Sequence, residues 1–114
     1  MPYLKIQTNR RVDDGRRTEL LVAASRLLAD ILGKPERYVM VALDADVPMV
    51  FAASEAPLAY LELKSIGLDE AATTGLSEHL CQLMAERLQV PVERVYIEFA
   101  NAPRHMWGWN GSTF

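Results

Sequence analysis

Tyr3-Leu4-Lys5-Ile6-Gln7-Thr8 and Tyr60-Leu61-Glu62-Leu63-Lys64-Ser65 decide the fold, because the second stretch repeats the first with aromatic, apolar and polar positions in the same order. Each alternates residue by residue, the signature of a strand with one buried face. A repeat of this kind, read before any single element is assigned, divides the chain into halves of about 1–57 and 58–114.

The segment after each strand is also duplicated. Leu20, Leu21, Ala24, Leu27, Leu28 and Ile31 recur at intervals of three and four, as on the apolar stripe of a helix. Asp13 or Asp14 can cap its start, and Gly33 followed by Pro35 can end it. In the second half Leu76, Leu80, Leu83, Met84 and Leu88 repeat that spacing, with Asp69 as the candidate cap. Pro35 and Pro91 then stop the helices and introduce strands over Tyr38–Leu43 and Val95–Phe99.

The order is therefore β-α-β twice. Because crossovers in such units are right-handed, the expected fold is α+β: one four-stranded sheet in a single domain, residues 1–114, with both helices on one face. The other face is left without a cover, and a partly apolar open face predicts a homo-oligomer. Tyr96 and Glu98 share that face of the last strand. Trp107, Trp109 and Phe114 make an aromatic tail, a composition suited to docking.

Composition narrows the function. The chain is 50% hydrophobic and 24% charged, with a net charge of −3 and a pI near 5.3. An acidic molecule of this kind repels polyanions, so no nucleic-acid partner is expected. Arg10, Arg11, Arg16 and Arg17 are interrupted by Asp13 and Asp14 and read as a solvated surface. No apolar run approaches the ~20 residues of a membrane span, and no secretion signal precedes the first strand, which predicts no membrane partner and a cytoplasmic location. Cys81 sits in the helical pattern as a small hydrophobe, and His79 and His105 stand apart from any ligand set, so neither a metal nor another cofactor is expected.

Pro2 is the chemically unusual residue. Proline is an ordinary first residue of a strand. With Met1 removed, however, it becomes a secondary amine held on a strand end, and an apolar pocket or a nearby cation lowers the pKa of such an amine toward neutrality. An amine tuned this way can act as a general base. Lys34, just past the first helix, is the second candidate, although a lysine there also suits the helix dipole's negative end.

At these residues the sequence resembles the macrophage migration inhibitory factor family of the tautomerase superfamily. The resemblance rests on Pro2 after Met1, Gly33-Lys34-Pro35, Met49-Val50-Phe51 with Ser54 and Pro57, and Ser65-Ile66-Gly67. It continues through Glu93-Arg94-Val95-Tyr96-Ile97 to the ending Gly108-Trp109-Asn110-Gly111-Ser112-Thr113-Phe114. It implies a homotrimer that tautomerises phenylpyruvate-like α-keto acids and enols without a cofactor, at a site on each subunit interface. By position, Pro2 would move the proton, Lys34 would hold the carboxylate, the Ile66 N–H would assist binding and Tyr96 would enter from the adjacent subunit.

Three positions depart from the family pattern. Glu98 replaces an asparagine in the implied pocket, which would weaken anion binding or raise the proline pKa. Trp107 replaces a small aliphatic residue and would narrow the pocket or stack on an aromatic substrate. Leu58 and Leu61 stand where animal members carry paired cysteines, so no disulfide exchange is expected. Two other functions fit the resemblance: a trimeric cytokine-like interaction protein with a vestigial pocket, and a hydratase or dehalogenase in which Glu98 activates water and Pro2 serves as acid.

Overall fold

The computed structural model describes residues 1–114. Its principal elements are β1 (Tyr3–Thr8), α1 (Asp14–Leu32), β2 (Met40–Asp44), β3 (Ala59–Ile66), α2 (Thr73–Leu88) and β4 (Val95–Ala102), followed by a small hairpin of β5 (Gly108–Trp109) and β6 (Ser112–Thr113). The four long strands form one sheet in the order β2-β1-β3-β4. β1 runs parallel to β2, as β3 does to β4. The halves join where β1 meets β3 antiparallel, Tyr3 opposite Lys64 and Thr8 opposite Ala59. This is the duplicated α+β architecture that the repeat predicts.

Alternation sets the two faces. Leu4 and Ile6 of β1 and Leu61 and Leu63 of β3 expose no surface, and they pack in one core with Leu20, Ala24 and Leu28 of α1 and Leu76, Leu80 and Met84 of α2. Cys81 is half-buried against this core. Asp13 provides the α1 cap, its Oδ1 accepting from the Arg16 N–H at 2.9 Å, and Gly33 ends the helix in the left-handed conformation (φ 62°). No helix is long and apolar enough to cross a membrane.

Several boundaries differ from expectation. Asp69 caps not α2 but the short 3₁₀ turn Glu70–Ala72 that leads into it, accepting from Ala71 N–H. Tyr38 is the last residue of a 3₁₀ turn after Pro35, so β2 begins at Met40. An equivalent turn, Val92–Arg94, follows Pro91, and β4 runs on to Ala102.

The uncovered face is partly apolar, as the sequence predicts. Strand register arranges it in three rows: Met40-Tyr3-Lys64-Ala100, Ala42-Lys5-Glu62-Glu98 and Asp44-Gln7-Tyr60-Tyr96. A charged middle row, Lys5-Glu62-Glu98, divides this face. Apolar side chains lie at both ends: Met40, Tyr3 and Ala100 at one, and Tyr60 and Tyr96, which adjoin Met49, Val50 and Phe51 of the inter-repeat segment, at the other. The N-terminal arginines are engaged locally: Arg10 Nε donates to the Leu88 carbonyl, and Arg11, Arg16 and Arg17 pair with Asp46, Asp13 and Asp14.

Arg94 holds the inter-repeat segment in place. Its guanidinium donates to the carbonyls of Pro57 (2.9 Å), Phe51 (3.1 Å), Ser54 (3.1 Å) and Ala56 (3.0 Å). No other side chain offers that many donors in a fixed plane. Arg94→Met keeps the apolar stem and strips these bonds, and is expected to lower unfolding stability by about 2–3 kcal/mol in urea denaturation. A change within about 0.5 kcal/mol, the scatter of ordinary surface substitutions, would mean that the loop holds itself.

Candidate functional site

The site begins with the position of β1. Because β1 lies between β2 and β3, its first residues are enclosed from both sides, and Pro2, just ahead of the strand, has under 2% of its surface exposed. The Pro2 carbonyl accepts from the Met40 N–H at 2.9 Å, continuing the β1–β2 ladder. Beside it opens a cleft of about 740 Å³ with a mainly hydrophobic lining that includes Pro2, Tyr38, Met40, Trp107 and Trp109.

The N-terminal amine sits in this cleft's wall. In the chain with Met1 in place it donates to the Tyr38 carbonyl. Its pKa lies below the ordinary 8.0, first because burial penalises the charged form and second because the Lys34 ammonium repels it. Lys34 itself is half-buried, and its Nζ donates to the Ile66 carbonyl at 3.3 Å. That bond turns the side chain toward the end of β3, not toward the carbonyls of its own helix. The turn after Ile66 is pinned by Asn101, whose Oδ1 accepts from Gly67 N–H at 3.0 Å and Leu68 N–H at 3.1 Å.

Of the residues singled out in the sequence, Pro2 and Trp107 thus share one cleft, and Lys34 and Ile66 form a bonded pair whose ammonium acts on the amine. Tyr96 and Glu98 do not reach this cleft within the chain. Tyr96 is 65% exposed and its ring lies 4.5 Å from that of Phe51. Glu98 stands opposite Glu62 in the middle row of the open face. Both are presented outward on the open face. Next to them the Tyr60 phenol is pushed up by burial, by its hydrogen bond to Glu62 (3.2 Å) and by the charges of Glu62 and Glu98.

The cleft also gathers the aromatic tail that the sequence marks for docking, together with residues that sequence reasoning misses. Tyr38 packs edge-on against Trp109 (5.5 Å) and Phe114 (6.0 Å), while Trp109 and Phe114 stack at 5.4 Å. The aromatic tail therefore docks on the turn before β2 and closes one side of the cleft. Arg37 and Lys64 line it as well. Lys64 is visible in the sequence only as a polar strand position, and nothing local marks Arg37. His79 and His105 are exposed and separate, and no three His, Cys, Asp or Glu side chains gather in a metal-binding group.

The duplicated β-α-β sheet, with β1 antiparallel to β3 at its centre, defines an α+β fold class shared with solved structures. Within it the chain belongs to the macrophage migration inhibitory factor family, whose sequence profile matches residues 1–114. Among curated relatives, a macrophage migration inhibitory factor homolog from Brugia malayi is 39% identical over 115 residues, covering 100% of this chain and 99% of that protein. The Meriones unguiculatus macrophage migration inhibitory factor is 36% identical over 118 residues, with coverage of 100% and 99%. Among solved structures, a homologue from Prochlorococcus marinus superimposes with a TM-score of 0.93 at 42% identity, covering 98% of each chain. The Trichinella spiralis protein does so at 0.90 and 32%, covering 98% of this chain and 99% of its own.

The amine's environment is directly measurable. Titrated by NMR in protein that retains Met1, the N-terminal amine is expected to lose its proton below pH 8.0, so that its neutral form dominates at that pH. Lys34→Gln removes one of the two causes and moves the midpoint upward. A midpoint at or above 8.0 in the parent would contradict the burial seen here.

Proposed function

We propose that the protein is a keto–enol tautomerase of phenylpyruvate-like α-keto acids, working as a homotrimer with Pro2, freed by removal of Met1, as general base. The observation that carries this reading is the position of Pro2: buried, at an apolar cleft, where the chain's amine is already pushed below its ordinary value. A neutral secondary amine near neutral pH can take a proton from the carbon next to the keto group. The electron pair moves toward the carbonyl oxygen, and the proton is returned there to give the enol.

Lys34 balances the substrate carboxylate and, as the lesser influence after burial in the case of the Met1 amine, favours the neutral form of an amine at this position. The Ile66 N–H assists binding at the end of β3. Trp107 presents an aromatic wall to the phenyl group, favouring offset or edge-on packing. Tyr96 and Glu98, outward on the sheet's open face, complete the site of a neighbouring copy. Such fixed groups act chiefly by positioning the substrate and by meeting charge where it develops.

Purified protein, with Met1 removal confirmed by intact mass, is expected to interconvert keto and enol phenylpyruvate. Pro2→Gly, equally folded by circular dichroism, is expected to lose about 100-fold or more in kcat/KM. An inactive parent with a free Pro2 amine would overturn the proposal, as would full activity in the variant.

A further inference from the structure

The side chains that line the cleft beside Pro2 include two cations, Arg37 and Lys64, and no Asp or Glu. They come from opposite sides of β1. Arg37 belongs to the 3₁₀ turn that leads into β2, and Lys64 lies on β3 directly opposite Tyr3. The strand order β2-β1-β3 therefore sets one cation on each flank of Pro2.

Neither cation is consumed by the fold. Arg37 lies over the Tyr38 ring, 4.7 Å from its centroid, an arrangement that leaves guanidinium N–H groups free. It makes no ion pair, and the acid next to it, Glu36, turns away to accept from Ser25 Oγ on α1 at 3.0 Å. Lys64 meets only Glu62, at 3.8 Å and with 47% of the lysine side chain exposed, a loose contact that an incoming anion can displace. Lys34, by contrast, is tied to the Ile66 carbonyl and stands outside the lining.

We infer that Arg37 and Lys64 form a second anion-binding pole in the Pro2 cleft, and that the preferred ligands are acids carrying two anionic groups on an apolar or aromatic body. This rests on the proposed tautomerase reading for the chemistry, although not for binding. One anionic group lies at the Pro2 end of the cleft, within the field of the Lys34 ammonium that acts on the chain's amine. The other meets the guanidinium fork and the Lys64 ammonium, while the rings of Tyr38 and Trp107 hold the body between them. A monoanionic aryl keto acid leaves the second pole without a partner.

The test is a matched pair of ligands, phenylpyruvate and 4-carboxyphenylpyruvate, with two readouts on Met1-free protein: quenching of Trp107 and Trp109 fluorescence for binding, and keto–enol conversion for turnover. The dianion is expected to bind about tenfold more tightly than the monoanion, with a steeper loss of affinity as salt is raised. In Arg37→Gln and Lys64→Gln, each checked for folding by circular dichroism, that ratio is expected to fall toward one. Equal binding of the two ligands by the parent would overturn the inference, as would variants that weaken both ligands to the same degree. The failures are separable: tighter dianion binding without turnover of either acid removes the tautomerase reading and keeps the second pole, whereas turnover of both with equal affinity does the reverse.

Discussion

Burial of β1 between two neighbours is the constraint on which the rest of the molecule turns. Leu4 and Ile6 expose no surface, and Thr8 on the same face is equally buried, its hydroxyl donating to the Leu58 carbonyl at 2.7 Å. Pairing with β2 on one side and β3 on the other fixes the strand in both directions. The residue immediately before it inherits that rigidity. A flexible terminus would have to be ordered on binding any ligand, whereas Pro2 is already held by the Met40 N–H and by its proline ring.

That rigid placement gives the electrostatics their meaning. Burial alone pushes an amine toward its neutral form, and a cation at short range adds to the effect. Both act on the N-terminal amine here, burial more strongly than Lys34. Lys34 holds its place because it leaves α1 through a left-handed glycine at Gly33 and bonds to the carbonyl at the end of β3. The site is thus built from separate chain segments that the sheet brings together.

The same logic applies at the periphery. Arg94, immediately before β4, uses one guanidinium to bind four carbonyls between Phe51 and Pro57, converting a segment without regular structure into a defined surface beside Tyr96. At the opposite end of the sheet the tail folds into a two-stranded hairpin and closes over Tyr38 by ring packing. In both places long-range contacts order stretches that local propensity leaves undecided.

Period and punctuation in the sequence alone determined the duplicated β-α-β order, the buried stripe of each helix, the Asp13 cap and the Gly33 stop, because these depend on contacts within a few residues. Pro2 and Lys34 were legible as candidates from their chemistry, and Ile66 and Trp107 only through a family resemblance. Tertiary structure decided how the segments meet: the strand order, the charged middle row of the open face, the start of β2 after Tyr38, and the outward placement of Tyr96 and Glu98. Arg37, Lys64, Asn101 and the surface on which the aromatic tail docks were not readable, since distant segments must come together before these residues reach the cleft or the turn after β3. Their roles rest on strand pairing and ring packing, and one-dimensional spacing does not encode which side chains a sheet brings face to face.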